Sequence, residues 1–258
     1  MDLQQQLKSK LDKRKYLYLF LDFEGTIIPK SESQLQPRPR QQVIKALEKL
    51  QDIQKVSVNL LSERSVENVK DLIQVQDFNY IGYLGGEIRQ NNHSDFVFSP
   101  DNYIKIFRDL KTQYQHFFEG LTGIEFRETP FYIHLNFAQN HSPSFYHAFN
   151  LWLKEIYPKI IRYRLMPVFY HNHKFILKPA KLNKLNAVHK ILEEKDLHKS
   201  IVIYVGDNFM DEEIFTMFKD KGITVRIDNY IARTTAHHHF RSDIELIRFL
   251  NMIFDFYA

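Results

Sequence analysis

The sequence predicts an α/β protein: a Rossmann-like, doubly wound parallel sheet interrupted by a smaller inserted α+β unit. Three observations point there. Four short runs, Tyr16–Asp22 (YLYLFLD), Val56–Leu61 (VSVNLL), Tyr80–Tyr83 (YIGY) and Ile201–Val205 (IVIYV), are apolar on both faces. Strands covered by helices on either side read this way. Three of the runs lead into segments of helical periodicity, and strand alternating with helix is the rhythm of a parallel sheet. Between Ile88 and Lys178 that rhythm gives way to hairpins and helices.

The elements follow in order. Met1–Lys15 is polar and helical in pattern. After the first strand, Pro39–Gln51 places Val43, Ile44, Leu47 and Leu50 on one helix face, and Ser65–Gln74 does the same with Val66, Val69, Leu72 and Ile73. Ser62 reads as an N-cap for that second helix. The insert reads as a hairpin (Glu87–Phe98), a helix (Asp101–Phe118), strands Glu125–Arg127 and Phe131–Phe137, a helix (Ser142–Tyr157), and strands Arg162–Tyr170 and Lys174–Leu177. The α/β style then returns with helix Lys184–Lys195, strand Ile201–Val205, and helix Asp211–Phe218, whose first three residues are acidic as a helix N-terminus favours. Strand Thr224–Ile227 and a helix near Asp243–Phe256 close the chain. The expected domains are a core of residues 1–87 and 179–258 and an insert of residues 88–178.

Composition removes several function classes. The 258 residues include no cysteine, which excludes disulfides, thiolate metal sites and a thiol nucleophile. The net charge of +4 is mild and the charges alternate in sign, so no nucleic-acid partner is expected. The first apolar run is too short for a signal peptide or a membrane span, and the expectation is a cytoplasmic protein without a membrane partner. The 22 Phe and 14 Tyr read as core or as an oligomer contact. Adjacent histidines point to opposite strand faces, so His237–His239 reads as no metal clip. Only eight glycines occur, and five of them (Gly25, Gly82, Gly85, Gly86 and Gly206) fall in loops beside the predicted strand ends. The expected reason is close backbone approach to a ligand.

Ligands of open α/β sheets bind outside the carboxyl ends of the strands. There the sequence places Asp22-Phe23-Glu24-Gly25-Thr26, then Ser62-Glu63-Arg64, then Gly206-Asp207-Asn208 with Asp211 following, and Lys184 opens the helix before the last of these strands. Two carboxylates can hold one Mg2+, a hydroxyl and a lysine can hold a phosphate, and a carboxylate can attack phosphorus. The set supports phosphoryl transfer.

The order of these pieces resembles the haloacid dehalogenase-like phosphatase superfamily, on DFEGT (22–26), LLSER (60–64), Lys184 and VGDNFMDEEIF (205–215). Finer segments are similar to the trehalose-6-phosphate phosphatase branch: IGYLGGE (81–87), FYIHLNF (131–137) and KFILKPAKLNK (174–184). The resemblance implies Asp22 as nucleophile, Glu24 as general acid and base whose carbonyl also binds Mg2+, and Thr26 as support for the loop. It implies Asp22, Glu24, Asp207 and Asp211 around the metal, and Ser62, Lys184 and Gly25 around the phosphate. Arg64, Gly86, Glu87, His134 and Lys178 stand at the substrate, a small phosphorylated sugar, with the insert as a specificity cap that closes over it. The chain departs from the pattern at Glu24, where the family has Asp, and at Glu63, Leu84, Asn136, Ile176, Leu185 and Asn208. These changes leave open another sugar phosphate, such as glucosylglycerol phosphate or sucrose phosphate, and a catalytically silent relative that binds a sugar phosphate or a partner enzyme.

Overall fold

The computed structural model describes residues 7, 9–29, 37–91, 93–97, 99–137, 142–170, 174–193, 195–228 and 233–258. Residues 1–6 and 8 of the N-terminal helical pattern lie outside them. The elements are β1 (Tyr16–Asp22), α1 (Gln41–Gln51), β2 (Val56–Leu61), α2 (Val66–Ile73), β3 (Asn79–Gly82), β4 (Glu87–Gln90), β5 (His93–Phe96), α3 (Asp101–Tyr114), β6 (Ile124–Glu128), β7 (Ile133–Phe137), α4 (Pro143–Arg162), β8 (Leu165–Tyr170), β9 (Lys174–Pro179), α5 (Lys184–Leu192), β10 (Ser200–Gly206), α6 (Glu212–Met217), β11 (Gly222–Ile227), β12 (His238–Phe240) and α7 (Asp243–Tyr257).

The chain forms two compact units, one of Met1–Val97 with Lys184–Ala258 and one of Phe98–Asn183. The larger unit holds an eight-stranded sheet in the order β12-β11-β10-β1-β2-β3-β4-β5. All neighbours from β12 to β3 are parallel. Alternation along the strands feeds two cores. Leu17, Leu19, Leu21, Ile203 and Val205 pack with Val43 and Leu47 of α1 and Phe249 and Leu250 of α7. Phe20, Val202 and Tyr204 pack with Val188 and Ile191 of α5 and Ile214 and Phe215 of α6. Each such side chain contributes about 1.5–3 kcal/mol by leaving water. The strand order reverses between β10 and β1, which opens a crevice at their carboxyl ends.

Hairpin β4–β5 pairs antiparallel onto β3 and so extends the larger sheet. The sequence reading had put it in the insert, whose observed start lies after the hairpin and whose end lies at Asn183 rather than Lys178. A strand that follows β3 directly finds its hydrogen-bond partners on that free edge, and this decides its membership.

The smaller unit is a four-stranded sheet, β6-β7-β9-β8, antiparallel throughout. Its core is aromatic: Trp152 meets Phe118, Phe126 and Phe175 edge-on at 5.5, 5.8 and 5.2 Å. Helix α4 starts as read, with Ser142 accepting from the Phe145 N–H and Pro143 in the first turn. It runs on through Pro158 to Arg162, past the expected end at Tyr157. Proline removes one helical hydrogen bond, and buried Ile156 and Ile160 on either side hold the helix together across it. Strand β12 was not foreseen; three residues of HHF carry too little pattern. Among the described residues no helix is long and apolar enough to cross a membrane.

Candidate active site

Strands β1, β2 and β10 end side by side, so their parallel register brings Asp22, Ser62 and Asp207 to one edge of the larger unit. Asp22 is 1% exposed. One of its oxygens accepts from the Phe23 N–H at 2.8 Å, and the other lies 2.8 Å from the Lys184 ammonium. Lys184 is also buried and also meets Asp211 at 3.0 Å. Burial opposes its charge, but Asp211 and Asp22 outweigh that and hold its pKa well above the usual lysine range. Burial pushes the Asp22 carboxyl well up; Lys184 opposes this, while Asp211, Asp207 and Glu24 add to it.

Asp211 is a post within the site. Its carboxylate accepts from Lys184, from the Tyr204 hydroxyl at 2.7 Å, and from the Asp207 and Asn208 N–H groups at 3.0 and 3.1 Å. It thereby fixes both the lysine and the loop after β10. Neither Tyr204 nor Asn208 was among the expected site residues. The signal for Tyr204 was a hydroxyl inside an otherwise apolar run. Asn208 sends its amide to Asp22 at 3.3 Å and to Asp207 at 2.9 Å.

The carboxylates of Asp22, Asp207 and Asp211 all lie within 4.8 Å of one another through one oxygen each. Three buried carboxylates face one ammonium, and Asn208 bridges two of them with a donor. That excess of hard oxygen ligands fits a small divalent cation such as Mg2+. Among the described residues this is the one such cluster. His237 and His239 do not join one: His237 engages Thr224 and the Lys219 carbonyl, and His239 engages Asp228.

The glycines serve this packing. Gly25 has φ of +83°, and a Cβ there would collide with the Asp207 carboxylate. A Cβ on Gly206 would sit 2.5 Å from the Asp211 carboxylate. The close approach expected toward a ligand is, at these two positions, an approach to the site's own carboxylates.

Glu24 turns toward β2. Its carboxylate accepts from the Ser62 hydroxyl at 2.8 and 3.0 Å and from the Glu63 N–H at 3.3 Å, and it pairs with the Arg64 Nε at 3.0 Å. Burial and then Glu63 push its pKa up, with Arg64, Ser62 and Lys184 opposing. Ser62 does not cap α2; Ser65 does, accepting from Asn68. The Ser62 carbonyl accepts from Leu84 and the Arg64 carbonyl from Tyr83, so the 82–86 loop, with Gly86, backs the 62–64 loop. Glu87 opens β4, and its carboxylate accepts from the Val66 N–H at 3.2 Å; burial pushes its pKa up. The Thr26 hydroxyl is buried without a hydrogen-bond partner, while the Thr26 carbonyl accepts from Arg40.

The larger unit thus brings together Asp22, Glu24, Gly25, Ser62, Arg64, Lys184, Asp207 and Asp211. His134 and Lys178 belong to the smaller unit. His134 is half-buried on β7, edge-on to Tyr132 at 6.1 Å, and Lys178 is fully buried on β9 and donates to the Leu182 carbonyl.

The family model for trehalose-phosphatase matches residues 20–243. The chain belongs to the trehalose-phosphatase family. As a member of that family it is a phosphoric monoester hydrolase. Similar solved structures include trehalose-6-phosphate phosphatase from Aspergillus fumigatus, at 17% identity over 98% of both chains with a TM-score of 0.66. The C-terminal domain of trehalose-6-phosphate phosphatase from C. albicans matches at 13% identity over 98% of this chain and 97% of that one, TM-score 0.78. A haloacid dehalogenase-like hydrolase from Bacteroides thetaiotaomicron matches at 15% identity over 93% and 100%, TM-score 0.66. At these identities the likeness is one of fold. No curated protein matches the chain.

Proposed function

We propose that this trehalose-phosphatase family member is a Mg2+-dependent phosphatase of a small sugar phosphate, with trehalose 6-phosphate as the leading substrate, working through an aspartyl-phosphate. The observation that carries the reading is the convergence of Asp22, Lys184, Asp207 and Asp211 within one buried cluster. Asp22 attacks phosphorus, and the bond from phosphorus to the sugar oxygen breaks. Glu24 gives that oxygen its proton, then as carboxylate takes one from water, which attacks the aspartyl-phosphate and returns Asp22. Lys184 and Ser62 hold the phosphoryl oxygens, and Asp211 keeps Lys184 in place. Asp22, Asp207 and the Glu24 carbonyl would hold the metal, with Asp211 behind them. Bound there, the metal would offset the charge that builds on the transferring group.

The test is release of inorganic phosphate from a panel of phosphorylated sugars, trehalose 6-phosphate, glucosylglycerol phosphate and sucrose phosphate among them, with and without Mg2+. Activity that needs Mg2+ and disappears in Asp22→Asn is the expected result. Full activity in Asp22→Asn, or none on any sugar phosphate, sinks the reading. A silent sugar-phosphate binder is the second reading, favoured by one observation: the Glu24 carboxylate rests on Ser62. It predicts ligand binding without turnover even in Glu24→Asp.

A further inference from the structure

Ser62, Glu63 and Arg64 form a small anion cradle. A buried hydroxyl, a backbone N–H and a guanidinium converge on one point, and the groups that fill it are the two oxygens of Glu24. These donors also suit a phosphoryl group: a hydroxyl and an N–H each reach one oxygen, and a guanidinium meets an anion with directed N–H bonds. The Arg64 N–H also donates to the Ser62 hydroxyl oxygen at 3.0 Å, which leaves the hydroxyl's proton aimed at the occupant. The side chains of Glu24 and Arg64 are 18% and 22% exposed, so the contact is sheltered from water. An aspartate at position 24 is one methylene shorter, so its carboxylate would reach less far toward Ser62 than the glutamate does.

We propose that Glu24 is a resident anion in the phosphate cradle, and that a phosphoryl group binds by displacing the Glu24 carboxylate from Ser62, Glu63 and Arg64. This rests on the phosphatase reading for its substrate. Two consequences follow. Arg64 is assigned to the phosphoryl group rather than to the sugar. The Glu24 carboxylate is also released toward the leaving oxygen only when a phosphoryl group has taken its place, which couples the position of the proton-transfer group to occupancy. The cost is affinity, because a ligand sees only the fraction of molecules whose cradle is open.

The test is calorimetric titration of the 258-residue chain with orthophosphate, in wild type and in Glu24→Ala, Glu24→Asp and Glu63→Gln, each checked for a cooperative thermal transition. Emptying the cradle in Glu24→Ala tightens phosphate by about tenfold or more. Glu24→Asp shifts it the same way by less. Glu63→Gln removes a neighbouring charge while leaving the cradle filled, and changes affinity less than either. Adding Ser62→Ala to Glu24→Ala abolishes the gain. Unchanged or weaker phosphate binding in folded Glu24→Ala and Glu24→Asp overturns the proposal, and so does an equal gain in Glu63→Gln, which would mean general charge relief. The two readings fail separately. Tighter phosphate in Glu24→Ala without turnover of any sugar phosphate by wild type sinks the phosphatase and leaves the cradle. Turnover by wild type with unchanged phosphate binding does the reverse.

Discussion

Each of the two compact units buries a lysine, and the two residues are six positions apart in the chain. Lys184, in the larger unit, sits between the carboxylates of Asp22 and Asp211. Lys178, in the smaller unit, donates to a backbone carbonyl, that of Leu182. The difference shows where each unit tolerates charge. The larger unit gathers an excess of carboxylates at the ends of two strands, β1 and β10, and needs a cation to hold them. The smaller unit is built around Trp152 and its phenylalanines, and its buried polar group closes a turn. Burying a charge is costly unless it is paired, so a buried lysine held between two carboxylates points to chemistry.

The comparison can be broken by substitution. Lys184→Met leaves the buried carboxylates of Asp22 and Asp211 without their cation and is expected to cost about 3–5 kcal/mol in urea unfolding, with phosphatase activity lost. Trp152→Ala, which empties the centre of the other core, is expected to cost a similar ~3–5 kcal/mol. Activity that survives Trp152→Ala at temperatures where the variant stays folded would mark that core as scaffold. If Mg2+ binds the carboxylate excess, a concentration near 100 times its Kd should stabilise wild type by about 2.7 kcal/mol. Asp207→Asn should lose that increment, and an unchanged increment in this variant would move the metal elsewhere. Lys178→Met is expected to cost less than Lys184→Met, because it removes a donor to the Leu182 carbonyl rather than the cation between Asp22 and Asp211. A loss as large as that of Lys184→Met would erase the distinction between the two lysines.

Much of the fold was legible. Strands apolar on both faces and helices with one apolar face leave periodic marks, and these located β1, β2, β3 and β10 to within a residue or two. The misreadings share a cause: they concern partners. Nothing in Glu87–Phe96 says which sheet edge it will join, His238–Phe240 becomes a strand because β11 offers an edge, and α4 continues past Pro158 because its buried face holds it.

The site divides in the same way. That carboxylates, a hydroxyl and a lysine would meet was readable, because residues after parallel strands must arrive at one end of a sheet. What those groups touch was decided only in three dimensions. Asp211 became the post for Lys184, Asn208 the bridge between Asp22 and Asp207, and Glu24 the occupant of the Ser62 cradle. Secondary structure and strand order follow from short-range periodicity and turn chemistry, which the sequence carries locally. A hydrogen bond between residues such as Glu24 and Ser62, on neighbouring strand ends, depends on side-chain length and direction after the backbone is set. That is why the contact between the Glu24 carboxylate and Ser62 could be seen only in the folded chain.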